Sequence, residues 1–194
     1  VPMVDRVLDA VAASRAERVH AVVSPNAPAT HDHLRSQADE GPAAATDPTV
    51  IEAPGDGYVA DLGYALERVD RPVITVAADL PLLPPATVDR AVDAAGEGSL
   101  AVYVPVEMKR DLGVSVDTEA TVDGRPVAPT GLNVVGLASA DDGGRDPSED
   151  ALVIADDRLA VNVNRPRDLR VAAALLWRRR RDAAGRAPDD GANQ

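Results

Sequence analysis

TVIEAPGDGYVADLGYALERVDRPVITVAADLPLLPPATVDRAVDAA, residues 49–95, alternates two kinds of segment. The apolar runs at 49–52 and 73–78 are rich in β-branched residues and too short for helices, which predicts strands. Over 57–69 and 85–95 the apolar residues recur every three or four positions, which predicts helices. Gly55, Gly57, Pro81, Pro84 and Pro85 punctuate the changes. Strands alternating with helices predict an α/β fold, with a mostly parallel sheet, helices on both faces and right-handed crossovers.

The same rhythm continues upstream. Val4, Val7, Leu8 and Val11 fall at helical spacing behind Pro2, RVHAVVS (18–24) reads as a strand, and HDHLRSQ (31–37) opens a helix with Thr30 placed to cap it. Residues 39–48 read as loop. Downstream the pattern shifts: SLAVYVPV (99–106) and TGLNVVGL (130–137) are strands, and TVDGRPVAP (121–129) carries the Asp-Gly turn of a small antiparallel hairpin. A polar loop is expected over 138–149, short apolar runs at 151–155 and 159–163, and a last helix over 165–181. One domain is expected over 1–182, with a disordered tail over 183–194.

Hydrophobic residues make up 45% of the 194 residues, enough for one core, and that core has to be aliphatic because aromatic residues are 2% and Phe is absent. Thirty-two acidic against 20 basic residues leave a net charge of -12, which repels nucleic acid and anionic membranes. An excess of acid, with Arg as nearly the whole of the basic charge and Lys109 as the sole lysine, resembles the composition of proteins from salt-loving microbes. The absence of cysteine excludes disulfides, thiolate nucleophiles and Cys-ligated zinc. No apolar run approaches the roughly 18 residues of a membrane span. A cytoplasmic protein is expected.

In open α/β sheets, ligands bind beyond the carboxyl ends of the strands. Asp79, directly after the apolar run 73–78, is either a turn cap or a carboxylate holding a hard cation such as Mg²⁺. Gly55, Asp56, Gly57 and Tyr58 form either an ordinary turn or a set of backbone amides for a triphosphate at a helix N-terminus. Asn162 and Asn164 share a face if their segment is extended, either to satisfy loop backbone or to meet a metal or phosphate. Ser24, Pro25 and Asn26, and Gly131 with Asn133, occupy the remaining strand ends. His31 and His33 stand two apart in a helix, where they do not share a face, so a metal site there is not expected.

Taken in order, SPNAPAT, GDGYVADL, VAADLPLL, PTGLNVVG and VNVNRPRDLRVAAALL resemble the archaeal GTP:adenosylcobinamide-phosphate guanylyltransferases, within the MobA-like nucleotidyltransferases. The resemblance implies a Rossmann-like nucleotidyltransferase fold and transfer of GMP from GTP to adenosylcobinamide phosphate, with release of pyrophosphate, in cobalamin assembly. It implies Asp79 as the Mg²⁺ ligand and Asn164 at a second metal or phosphate contact. Ser24, Pro25, Asn26, Gly55, Asp56, Gly57, Tyr58, Gly131, Asn133 and Asn162 would surround the nucleotide. GTP, adenosylcobinamide phosphate and a second copy of the chain are the expected partners, with no nucleic acid and no membrane span. The position of Asn164 holds an amide where a second metal ligand would be acidic.

The family opens with a strand and a Gly-rich loop bearing a lysine, and this sequence starts after that pattern. The expectation is a missing first strand between 18–23 and 73–78, an activity impaired by the lack of the loop, and no substitute lysine in Lys109. Two other functions are carried beside the first. One is nucleotidyl transfer to another acceptor, such as molybdopterin or a sugar phosphate. The other is a non-catalytic nucleotide-binding or dimerisation module.

Overall fold

Local sequence accounts for most of the elements of the computed structural model, which describes residues 1–39, 48–137 and 150–184. In chain order these are α1 (Met3–Ala12), β1 (His20–Val23), α2 (Pro28–Asp39), β2 (Thr49–Glu52), α3 (Tyr58–Leu66) and β3 (Val73–Val76). There follow α4 (Pro85–Ala95), β4 (Leu100–Pro105), α5 (Val106–Leu112), β5 (Ala120–Val122), β6 (Arg125–Val135), β7 (Ala151–Val153) and α6 (Pro166–Ala184). α4 begins where Pro85 pre-sets the helical φ in the first turn, and it ends at Gly96, with φ +56°. α2 starts at Pro28 for the same reason, so Thr30 lies inside the helix rather than capping it.

The sheet is mixed, which corrects the expectation of a mostly parallel one. β1 and β2 form a parallel pair, while β3, β6, β4 and β7 lie side by side in that order, with β5 also on β6. β4 and β7 are parallel, but β6 runs antiparallel to β3, β4 and β5. The cause is a single long strand. The Asp123-Gly124 turn, with φ of +49° and +73°, matches the mirror-image turn that suits a hairpin, and the returning chain continues as β6 between β3 and β4. Segments 121–129 and 130–137, read separately in sequence, thus contribute to one strand.

Among the described residues no backbone ladder joins the β1–β2 pair to the larger sheet. Among the described residues β1 is paired only with β2 and β3 only with β6, so each has one edge without a strand neighbour. Arg18, just before β1, reaches Asp70, just before β3, at 3.3 Å.

The core is aliphatic, as composition requires. Leu80, Val88, Leu100, Val102, Val104, Leu132, Val134 and Leu159 form one buried cluster where α4 meets β4 and β6. A second cluster of Leu82, Val114, Val161, Ala172 and Leu175 seats α6. Burying Leu80, Leu132 and Leu159 completely contributes about 1.5–3 kcal/mol each. These clusters fix the segments after β3 and before α6 from below. No helix of the described residues is long and apolar enough to cross a membrane. The loops expected at 39–48 and 138–149 fall largely or wholly outside the described residues, as does the tail from 185, and α6 runs on through Ala184.

Candidate functional site

Asp79 stands three residues beyond β3, where the chain turns into Leu80 and Pro81. Its carbonyl accepts a 2.9 Å hydrogen bond from the Val163 amide, and its Oδ1 accepts one of 3.2 Å from Asn162 Nδ2. The same Nδ2 donates to the Thr130 carbonyl at 2.8 Å. That carbonyl comes from an irregular stretch of β6: between the pairs Ala101–Asn133 and Tyr103–Pro129, β4 advances two residues and β6 four. Gly131 takes φ +84° there, and Thr130 Oγ1 bridges the irregularity by donating to the Val102 carbonyl at 2.8 Å.

Lys109 completes the group. This lysine of α5 is 4% exposed, and its Nζ donates to Asn162 Oδ1 and to the Ala160 carbonyl, both at 2.9 Å. Burial pushes the Asp79 carboxyl above its usual value, opposed by the Asn162 amide, the Asp79 backbone and the Lys109 charge. Burial likewise pulls the Lys109 ammonium below its usual value, opposed by Asp79, Asp168 and Asp117. Lys109, dismissed in sequence as a substitute lysine, therefore sits one amide away from Asp79.

The loops after β1 and β2 form a second group. The Asn26 amide donates to Ser24 Oγ at 3.2 Å, and Asn26 Nδ2 donates to the Gly55 carbonyl at 3.3 Å. Gly55 has φ +88°, and a Cβ on it would lie 2.7 Å from Pro25 Cγ. Only glycine therefore fits where the two loops meet. Asp61, buried in the first turn of α3, accepts the Gly55 amide at 2.8 Å and the Asp56 amide at 3.3 Å. Those two amides are thus already used. Gly57 caps α3 without a side-chain hydrogen bond, so the amides of Tyr58, Val59 and Ala60 face outward from the first turn. Tyr58 itself is exposed.

A third group ties the segment before α6. Asp168 is fully buried, and its carboxylate accepts the amides of Ser115, Asn164 and Arg165 at 2.9, 3.2 and 2.8 Å and the Ser115 hydroxyl at 2.6 Å. Burial opposes its charge, but the Ser115, Arg165 and Asn164 hydrogen bonds outweigh that and hold the carboxyl below its usual value.

The candidates from sequence are thus divided. Asn162 meets Asp79, whereas Asn164 is exposed and its Nδ2 donates to Asp117 Oδ2 at 3.1 Å. The two do not act as one face, because 159–163 is not a strand. Ser24, Pro25 and Asn26 come together with Gly55, Asp56, Gly57 and Tyr58. Gly131 sits against Ala77, which a Cβ would approach to 2.7 Å, and its carbonyl accepts the Ala77 amide at 2.9 Å. Asn133 reaches across to β3, where its Nδ2 donates to Thr75 Oγ1 at 3.4 Å. No hydrogen bond among the described residues joins the Asp79 group to the Ser24–Gly55 group. His31 contacts Glu52 and His33 contacts Asp5, so they share no site.

Sequence reasoning missed Lys109, Asp61, Asp168 and Thr130 as organisers of these groups. Asp61 and Asp168 carried a signal, since each is the acid of a helix's first turn, where free amides attract a carboxylate. Lys109 and Thr130 carried none.

Among the described residues no three His, Asp or Glu side chains converge to hold a metal. Mg²⁺ does not require such a cluster, because one or two carboxylates, nucleotide phosphates and water suffice. Asp79 fits: a half-buried carboxylate above its usual pKa is stabilised by a divalent cation, and the hydrogen bond described to it, from Asn162, is to Oδ1. Asn162 does not offer its carbonyl, which Lys109 already occupies.

Residues 1–181 match the model of the MobA-like NTP transferase domain. The chain is 26% identical over 182 residues to the adenosylcobinamide-phosphate guanylyltransferase of Methanocaldococcus jannaschii, covering 90% of this chain and 83% of that protein. Its fold is similar to that of a hypothetical transferase from Thermus thermophilus, with a TM-score of 0.56 at 18% identity, over 86% of this chain and 85% of the other. The chain belongs to the MobA-like NTP transferase family.

Proposed function

We propose that this nucleotidyltransferase moves GMP from GTP to adenosylcobinamide phosphate and releases pyrophosphate. The supporting observation is the Asp79 carboxylate, oriented by Asn162 at the end of β3, in a chain similar over most of its length to an archaeal guanylyltransferase of that specificity. An oxygen of the acceptor phosphate forms a bond to the α-phosphorus, the bond from that phosphorus to the β-phosphate bridging oxygen breaks, and pyrophosphate leaves with the electron pair.

The acceptor phosphate is ionised near neutral pH, so no His or Cys base is required, and the reaction rests on alignment and charge neutralisation. Mg²⁺, when bound, supplies positive charge to the phosphates. Asp79 is the residue that would hold it. The outward amides at the start of α3 are placed for a phosphate group, and the 24–26 turn that packs on Gly55 borders the same space. In this reading Asn162 supports Asp79 and does not touch the nucleotide.

The test is labelled GTP with Mg²⁺ and, in parallel, adenosylcobinamide phosphate, molybdopterin and a sugar phosphate. Label transfer to adenosylcobinamide phosphate with pyrophosphate release is expected. Transfer to another acceptor alone replaces the substrate and keeps the reaction class. A thermal shift with Mg²⁺-GTP but no turnover with any acceptor favours a nucleotide-binding module.

A further inference from the structure

Lys109 has no part in the proposed chemistry, yet the fold buries its charge beside the one carboxylate that does. A lysine ammonium only donates hydrogen bonds, and the Thr130 carbonyl and an ionised Asp79 only accept them. Asn162 sits between these neighbours, with Oδ1 on the ammonium and Nδ2 on both acceptors. Turning the amide over would set its NH₂ against the ammonium and its oxygen against two oxygens. The Ala160 carbonyl holds the other side of the ammonium, two residues before Asn162, so Lys109 fixes both the backbone and the side chain of that segment.

We infer that Lys109 is a positioning residue, whose ammonium locks the Asn162 amide in the orientation that aims Asp79 at the metal–nucleotide complex. The inference rests on the proposed role of Asp79 and adds a cause for its geometry. Thr130 and Ala160 supply fixed acceptors at either end, so the link from α5 to the end of β3 consists of side chains that each have one allowed orientation. Loss of the cation frees the amide to rotate. The carboxylate then loses its fixed donor while the fold, seated on the aliphatic clusters, persists.

The experiment has two arms. In the first, NMR follows hydrogen exchange of the Asn162 side-chain NH₂ in the wild-type chain and in Lys109→Met. Slow exchange in the wild type and exchange faster by about tenfold or more in the variant are expected, whereas rapid exchange in the wild type or no change in the variant overturns the inference. In the second, Mn²⁺ affinity is measured by EPR in the presence of GTP. Lys109→Met and Asn162→Ala should each weaken it about tenfold. The double variant should be no weaker than either single one, because both changes break the same link. Full additivity, or wild-type affinity in the single variants, overturns the inference.

Asp79→Asn separates the two levels. If it loses Mn²⁺ while Lys109→Met does not, the role of Asp79 stands and that of Lys109 falls. If Asp79→Asn binds Mn²⁺ with GTP as the wild type does, the reading of Asp79 falls, and the role of Lys109 with it. Should Lys109→Met fail to fold, the wild-type exchange rate and Asn162→Ala decide.

Discussion

Asp168→Asn changes one oxygen for an NH₂ in a fully buried carboxylate that accepts four hydrogen bonds, and its cost can be worked from the contacts. Asp168 Oδ2 accepts from the Ser115 hydroxyl and the Asn164 and Arg165 amides, and Oδ1 accepts from the Ser115 amide. An asparagine best keeps its oxygen at the first set, which turns its NH₂ toward the Ser115 amide. Two buried donors then face each other without an acceptor, at about 1–3 kcal/mol each. Loss of the negative charge from the first turn of α6 adds about 0.3–1 kcal/mol. A total of about 2–7 kcal/mol is expected, a large part of the stability of an ordinary domain. Urea unfolding at pH 7 measures it directly.

The pH dependence supplies a second check on Asp168. Its folded carboxyl lies below the usual value, so its contribution is fully present above the unfolded value of about 3.9 and disappears as pH falls through the folded one. The gap between wild type and Asp168→Asn should therefore close on acidification below about pH 4. A difference under about 1 kcal/mol at pH 7 refutes the reasoning, as does one that persists in acid.

Asp79→Asn should behave in the opposite way: a carboxyl above its usual value favours the folded state when protonated, so stability at pH 7 should be unchanged or higher by up to about 1 kcal/mol. GTP turnover should fall at least about a hundredfold, read by pyrophosphate release. Gly55→Ala should cost at least about 1–2 kcal/mol in urea and weaken the Mg²⁺-GTP thermal shift, because φ +88° and the Pro25 contact both resist a Cβ. Gly57→Ala would meet no neighbouring atom, but φ +111° with ψ 162° is a glycine-only conformation, so it too should cost about 1–3 kcal/mol by the same measurements. Asp61→Ala leaves the Gly55 and Asp56 amides without their acceptor, for a loss of about 1–3 kcal/mol that shows in the thermal midpoint.

The part of the fold that was legible in sequence was encoded locally. β2, α3, β3 and α4 announce themselves by changes of apolar spacing and by Gly and Pro at the joints, and the helix expected at 85–95 has those ends. α5 escaped because seven residues make only two turns, too few for a periodic face to stand out. The antiparallel hairpin at Asp123-Gly124 was legible, but the passage of β6 between β3 and β4 escaped, because Pro126 and Pro129 interrupt the pattern of a single long strand. The candidate site divides along the same line. Asp79 is visible as an acid ending an apolar run, but its link to Lys109 joins α5 to a segment more than fifty residues further on, through contacts that no spacing records. Asn162 and Asn164 look equivalent in sequence, and only the three-dimensional path of 159–165 sends one inward and the other to Asp117.

Because Lys109 is the sole lysine and is almost wholly enclosed, the chain carries a single ε-amine whose accessibility reports on one place. Acylating reagents should modify that amine only when α5 separates from the 160–162 segment, so the labelling rate becomes a clock for opening at the floor of the site. A ligand that clamps Asp79 should slow that clock without touching the lysine.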